Sequence, residues 1–470
     1  MFCTGLSRPA AGGPPMSDTS LGFRGKVLTS AKLSALKFSF TLLQRLASTI
    51  ILTRLLAPEI YGVFAIVMVY LYLLALFSDL GIRSLILTKE GEVDDNFLRT
   101  CWTVMILRGL LIAVLSLAIA GVIFALQGYG VFSADSPYSA PTLPWAIAAL
   151  GAITFLTGFQ STMMFVSERN MQMGRVTVLH IVLDLIALVA TIVLAFYLRS
   201  IWALVLGAAI KAVFQVILSF VLFPGPVMRL QLHKEYSATV LSRGKWIIGS
   251  SILTALSNSA DRLVLGFVMT SSTFGFYYIA RQLVDLVVKL LHSIDSQISL
   301  QVFTQLQKSN VEAFRRNYYR YRLFFDALAG LSTGGMVVLA PLAVDIIFDD
   351  RYRDVGPMVQ ILIWSGLLVG PLLLRGALGA MRYFKELALL SAVSTVTLWV
   401  GLLVAVFVFD SVLLALMVIS LHRLPEAMIC ILWGGDRDWV VIWREFLSFF
   451  FCGIGIVLGS GVLWVWNAVV

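Results

Sequence analysis

Residues Lys32–Gly62 read KLSALKFSFTLLQRLASTIILTRLLAPEIYG, and 213 residues later Lys245–Gly275 read KWIIGSSILTALSNSADRLVLGFVMTSSTFG. Each stretch opens on a lysine, runs through about 25 mostly apolar residues and ends in a short turn closed by an aromatic residue and glycine (Tyr61-Gly62, Phe274-Gly275). At about 100° per residue, a helix gathers Thr41, Gln44, Arg45, Ser48 and Thr49 on one face. Shifted by 213, the same positions are Thr254, Ser257, Asn258, Asp261 and Arg262. Two matched, membrane-like helices that each carry a polar stripe point to a water-filled groove between two halves.

The composition fits that reading. Fifty-nine per cent hydrophobic residues, 13% charged and a mean hydropathy of +0.91 exclude an ordinary soluble protein. Apolar segments longer than the ~20 residues needed to cross ~30 Å of hydrocarbon recur along the chain. They do not alternate apolar with polar as the ~10-residue strands of a barrel would. The expected fold class is therefore an all-α polytopic membrane protein. Cys3, Cys101, Cys430 and Cys452 show no CxxC or Cys/His spacing, which favours small buried hydrophobes over metal ligands or disulfides. A net charge of +9 would suggest nucleic acid in a soluble chain; here it records loop asymmetry across a bilayer, with no nucleic-acid partner.

Residues 1–37 are Gly/Pro/Ser-rich and then basic, without the apolar core of a cleaved signal, and read as a disordered cytoplasmic tail; Met16 is an alternative start to Met1. Spans are expected near 38–57, 60–81, 100–126, 144–167, 175–198 and 201–223, forming an N-terminal lobe over 38–223. A cytoplasmic linker, 224–244, contains Pro224 and Pro226. The C-terminal lobe, 245–433, holds spans near 245–268, 274–299, 321–348, 357–380, 386–409 and 411–433, and one further helix near 444–467 lies in 434–470. The expectation is thus two parallel six-helix lobes around a central cavity plus one extra C-terminal helix, 12 to 14 spans in all.

Charge placement orients the chain. With the N-terminus inside, the cytoplasmic segments and the span ends bordering them hold 23 of the 35 Lys and Arg residues. The outside loops hold only Arg199, Arg351 and Arg353, and every cytoplasmic loop obeys the positive-inside rule. Because six spans separate the two opening stretches, the halves enter the membrane in the same sense. That makes them parallel repeats about an axis along the membrane normal, an arrangement that places substrate between the halves.

Ionisable residues inside spans cost at least ~2.5–3.5 kcal/mol each at the membrane centre, so each needs a reason. The richest set, Arg281, Asp285, Lys289, His292, Asp295, Ser296 and Ser299, occupies one face of the eighth span. It reads either as an internally neutralised stripe or as one wall of a hydrated cavity. Arg45 sits mid-membrane with no carboxylate within a turn, whereas Arg54 is near the surface and reads as a snorkelling anchor. Arg108, Lys211 and Arg375 are single cations, each equally suited to pairing with a carboxylate or lining a cavity. The candidate substrate-binding set is Arg45, Arg262, Arg281, Lys289, Asn258, Gln44 and Arg375. An arginine-lined site suits phosphate, whose oxygens match the guanidinium fork. Ion-coupling candidates are Asp261, Asp285, His180 and Asp184. His180–Asp184 and His422–Glu426 are i,i+4 pairs that could couple transport to protons, but a local hydrogen bond stabilising the helix is the favoured reading. No Walker A, GxSxG or HExxH motif occurs, so no enzyme activity, catalytic residue, metal or cofactor is expected. Gly366–Gly370 and Gly455–Gly459 fit GxxxG and indicate helix packing.

The run Arg54-Leu-Leu-Ala-Pro58-Glu-Ile-Tyr61-Gly62 resembles the R-x-L-x-P-x-x-Y-G turn after the first helix of Wzx-type polysaccharide flippases. These are polysaccharide-transporter members of the multidrug/oligosaccharidyl-lipid/polysaccharide exporter superfamily. Asp79-Leu80-Gly81 and Arg351-Tyr352 to Pro357 agree, and the resemblance covers about residues 30–435. It implies two six-helix lobes forming a V-shaped cavity in the bacterial inner membrane, N-terminus cytoplasmic. It also implies movement of undecaprenyl-diphosphate-linked oligosaccharide to the periplasmic leaflet for surface polysaccharide synthesis. Arg45, Arg262 and Arg281 would then grip the diphosphate and sugars. Implied partners are membrane lipids, a polysaccharide polymerase and chain-length or export proteins. The alternatives are a multidrug-extrusion-type antiporter, for which the first span lacks the expected acidic residue, and a non-transporting scaffold.

Overall fold

A computed structural model of the chain describes residues 39–469 apart from 79, 90, 307–310, 381–382 and 437–439. The expected tail, and Asp79 of the family-like motif, lie outside the described residues. The described chain is helical: α1 (39–55), α2 (Pro58–Phe77), α3 (Ile82–Thr88), α4 (Asp95–Gly128), α5 (Leu143–Thr157), α6 (Met163–Arg169), α7 (Met173–Leu198) and α8 (Ile201–Leu222). The second half contains α9 (Lys234–Val268), α10 (Ser271–Leu306), α11 (Val311–Ile347), α12 (Val355–Leu362), α13 (Val369–Leu372) and α14 (Leu374–Ala380). It continues with α15 (Phe384–Phe407), α16 (Val412–Leu421), α17 (Leu424–Asp436) and α18 (Leu447–Val469).

Among the described residues, nine helices are long and apolar enough to cross a membrane. The protein is an all-α, multi-pass membrane protein. Of the thirteen expected spans, the other four fall short for physical reasons: α1 and α5 are short in the described chain, and polar residues interrupt the apolar runs of α9 and α10. α9 also starts at Lys234, inside the expected linker, so this helix extends well beyond its apolar part.

Two expected spans are broken. The 355–380 region divides into α12, a 3-10 segment at Ile363–Leu368, α13 and α14, with Gly366, Gly370 and Pro371 in the interrupted part. The 412–436 region breaks at His422-Arg423, just before Pro425 at the start of α17. Proline lacks an N–H and disfavours helix in the residue before it, so a break there is expected.

The halves meet mainly where α2 packs on α9 and α10. At the end of the bundle carrying the α1–α2 turn, the contact is backbone to backbone. A Cβ on Gly62 would lie 2.1 Å from the Ser271 carbonyl oxygen, and one on Gly275 would lie 2.0 Å from that of Pro58. In a membrane, helices associate by such close packing more than by the hydrophobic effect. Polar contacts reinforce this end: Tyr352 Oη donates to Leu56 O at 2.6 Å, Arg351 Nη2 to Arg54 O at 3.1 Å, and Ser271 N to Asp135 O at 2.7 Å. Leu56, Tyr61, Ile66, Leu265, Phe274 and Tyr352 from both halves join one buried core there.

α18 lies along α11, where Gly455 approaches the Leu331 carbonyl and Gly334 the Cys452 carbonyl too closely to admit a side chain. Arg322 anchors this pair. Its Nε meets Asp326 Oδ2 at 3.0 Å, Nη1 meets Glu445 Oε2, and Nη2 donates to Glu445 O at 2.9 Å. Counted by sequence with the cytoplasmic charges, Arg322 is in fact fully buried.

Candidate functional site

Beyond the sealed end, a cavity of about 560 Å³ lies between the halves. It follows α10 from Tyr278 to His292, roughly 21 Å at ~1.5 Å per residue. The N-terminal half supplies Arg45 from α1 and Met68 and Tyr72 from α2. α9 supplies Ser257, Asn258, Asp261 and Arg262; α10 supplies Arg281, Gln282, Asp285 and Lys289. His422 and Arg423 enter from the break between α16 and α17, and Ser365 comes from the other broken span. Irregular backbone at membrane depth is tolerated where it lines a polar cavity, and these breaks do so.

The repeat explains which positions face inward but not their chemistry. Arg45 and Asn258 are 213 residues apart, as are Met68 and Arg281, and Tyr72 and Asp285; all six line the cavity. Symmetry puts equivalent sites on both walls, yet most of the charge lies on the C-terminal wall. Asn258 Nδ2 donates to Tyr72 Oη at 3.2 Å, joining the walls.

Five cations (Arg45, Arg262, Arg281, Lys289 and Arg423) face two carboxylates. Asp285 is used twice: Arg281 Nε approaches Oδ1 to 3.2 Å and Lys289 Nζ donates to Oδ2 at 3.0 Å. The Arg281 contact is an ion pair without a hydrogen-bonding angle. Arg281, Asp285 and Lys289 of this stripe are thus ion-paired and at the same time part of the cavity lining. Tyr277 Oη donates to Asp261. Among the described residues, Arg45, Arg262 and Arg423 have no carboxylate at ion-pair distance, and the buried Nε of Arg262 has no hydrogen-bond partner. Arg262 and Arg423 are half-buried and Arg45 is exposed, so this wall offers unpartnered guanidinium groups suited to an anion.

Other sequence candidates lie elsewhere. Gln44 is not in this cavity; its Nε2 donates to Asp184 O on α7 at 3.3 Å. Of the α1 stripe only Arg45 lines the cavity. His180 and Asp184 lie on α7, outside the cavity lining, and Asp184 takes Lys211 Nζ at 2.7 Å. Arg108 donates to Ala75 O at 2.8 Å and Ser78 Oγ at 3.2 Å, covering the end of α2. Arg375 lines a smaller neighbouring pocket and pairs with Glu426, which therefore belongs to Arg375 and not to a His422 pair. His422 Nδ1 instead lies 2.9 Å from Ile419 O. The side chains of Asp295, Ser296 and Ser299 are outside the description. Arg423 was missed, although its signal was visible: Leu421-His-Arg-Leu-Pro425 interrupts an apolar run.

The profile of the polysaccharide biosynthesis protein family matches residues 51–357. The chain belongs to this family. The matched region includes both the Arg54–Gly62 and the Arg351–Pro357 stretches, which meet at the sealed end. Lipopolysaccharide biosynthesis protein WzxC of Escherichia coli K12 is 21% identical over 350 residues, 74% of this chain and 68% of that protein. Amylovoran biosynthesis protein AmsL of Erwinia amylovora is 26% identical over 131 residues, 27% of this chain and 33% of its own. The fold resembles that of the lipid II flippase MurJ in an inward closed conformation, with a TM-score of 0.66 and 10% identity over 93% of this chain and 99% of the other. An inward-facing MATE-family multidrug transporter of the MOP superfamily gives a TM-score of 0.64 at 14% identity, covering 85% and 94% of the two chains. The all-helical, two-lobe fold expected from the sequence is thus the fold of the chain.

Proposed function

We propose that this protein is a flippase that moves undecaprenyl-diphosphate-linked oligosaccharide from the cytoplasmic to the periplasmic leaflet of the bacterial inner membrane during surface polysaccharide synthesis. One observation carries the reading: a cavity in which, among the described residues, three arginines lack carboxylate partners, within a polysaccharide-biosynthesis family chain. A diphosphate supplies the missing acceptors in the fork geometry that guanidinium prefers. The positive-inside pattern supports an orientation with the sealed end at the periplasm and the N-terminus in the cytoplasm, which turns the cavity towards the leaflet in which the substrate is made. An inside-negative potential assists outward movement of an anion by ~2.3 kcal/mol per charge per 100 mV.

The protein does no covalent chemistry in this reading. It binds, shields the headgroup and changes which side is open. A polysaccharide polymerase and chain-length or export proteins would take the product. A cation antiporter is disfavoured because cations outnumber carboxylates in the cavity and Asp285 is already paired twice. Arg45→Ala and Arg281→Ala should each abolish export of the surface glycan while the protein remains in the membrane. Undiminished export in both would refute the cavity assignment.

A further inference from the structure

Beside the main cavity lies a second one of about 180 Å³, bounded by α9, α14, α15 and α17. The two share Ser257, Asn258, Leu398, His422 and Arg423, so one ligand can extend from the first into the second. We propose that this side pocket is a glycosyl subsite that receives the sugar next to the diphosphate. The inference rests on the flippase reading and adds where specificity for the glycan resides.

The chemistry of the pocket excludes other ligand classes. Glu426 is fully buried and held against Arg375, with Arg423 on the shared wall, so guanidinium outnumbers carboxylate and a cation is not favoured. An anion finds more unpaired guanidinium in the main cavity. The pocket presents hydroxyls, one carboxylate, the Asn258 amide, His422 and two guanidinium groups. Ser391, Ser394 and Thr395 share a face of α15 at i, i+3, i+4 spacing. Thr395 Oγ1 bonds Ser257 Oγ at 2.8 Å, and Arg375 Nη2 donates to Ser391 Oγ at 3.0 Å. Neither oxygen of Glu426 accepts a hydrogen bond despite its ion pair. Glu426 Oε2, which Arg375 leaves without a hydrogen-bond partner, stands beside hydroxyls that already donate to backbone and can still accept, and beside guanidinium donors, a mix that matches the hydroxyls of a sugar. The volume equals about six waters at ~30 Å³ each, close to one pyranose ring.

The test uses the full chain in lipid nanodiscs, measuring binding of undecaprenyl diphosphate and of the same lipid carrying one neutral hexose. In the parent, the hexose should strengthen binding by about tenfold or more, the worth of two or three neutral hydrogen bonds. Ser394→Ala with Thr395→Val should reduce this gain to about threefold or less without changing affinity for the bare lipid, and Glu426→Gln should reduce the gain while its release of Arg375 raises affinity for the bare lipid. No gain in the parent, or an equal gain in the variants, overturns the subsite and leaves the flippase reading standing. Failure of the parent to bind either lipid overturns both. Because a buried substitution can impair folding, Thr395→Cys gives an independent readout. Thiol labelling there should be blocked by the hexose-bearing lipid and not by the bare one; equal protection by the two contradicts the proposal.

Discussion

Gly62 and Gly275 pack against each other's helix starts in a reciprocal contact: Gly62 faces the Ser271 carbonyl and Gly275 faces that of Pro58. Both pairs of equivalent positions, 58 with 271 and 62 with 275, are separated by 213 residues. A contact in which i meets j and the equivalent of j meets the equivalent of i is what a two-fold axis produces. The axis of the repeat therefore passes between these glycines, and the closed end of the bundle is built around it.

This predicts a conformational effect of filling either glycine. Gly62→Val or Gly275→Val puts side-chain atoms where backbone oxygen now lies, an overpacking cost of about 1–3 kcal/mol. The closed end should be favoured less. A cysteine at Tyr72, in protein with Cys3 replaced by Ser, should react faster with an impermeant thiol reagent added from the periplasm; Cys101, Cys430 and Cys452 are buried and give little background. An unchanged rate would show that the glycine contact does not govern closure.

Acid should loosen the same end. Hydrogen bonding by Arg351, first through its side chain and then its backbone, holds the Asp349 carboxyl below the usual range. A depressed carboxyl contributes stability above its unfolded value of about 3.9, and this is lost as pH falls through the lower folded value. Arg351, released from Asp349, then loses its orientation towards Arg54 O. Hydrogen exchange at the α1–α2 turn should rise below about pH 4 in the parent and show no such step in Asp349→Asn.

Arg322 should be essential to the seating of α18. Removing one partner of a buried ion pair costs about 3–5 kcal/mol because the remaining charges are stranded. Arg322→Ala should lower the unfolding temperature and expose α18 to protease. Arg322→Lys should rescue little, since one ammonium cannot reproduce contacts to Asp326, Tyr318, and the Oε2 and backbone carbonyl of Glu445. Normal protease resistance of Arg322→Ala would contradict this role.

Asp285→Asn should strengthen anion binding. It removes the carboxylate that now occupies Arg281 and Lys289, leaving two more cations for a ligand. Affinity for undecaprenyl diphosphate should rise several-fold at low salt and fall more steeply with added salt than in the parent. A loss of affinity would mean that Asp285 serves mainly to position Arg281.

The helical membrane fold and the repeat were legible because they follow from local properties: apolar run length, charge between runs and the matched aromatic-glycine turns. The site was legible only in part. Arg45, Asn258, Asp261, Arg262, Arg281, Asp285 and Lys289 line the cavity as their helix faces imply. Gln44 shares the face of Arg45 yet bonds to α7, because helix periodicity does not say which neighbour a face meets. Lys211 with Asp184 and Arg375 with Glu426 are contacts between helices distant in sequence, and no spacing rule reports them. Arg423 depends on a helix break, whose cue was Pro425 and not periodicity.

The most direct test of the central claim is transport by the purified protein in liposomes. Undecaprenyl-diphosphate-linked oligosaccharide placed in one leaflet should reach the other, as read by accessibility of its sugar to an impermeant probe. Arg262→Ala with Arg423→Ala should abolish that movement while the protein stays folded in the vesicle. Transport at the parent rate in the double variant, or none by the parent with an imposed potential, would contradict the account.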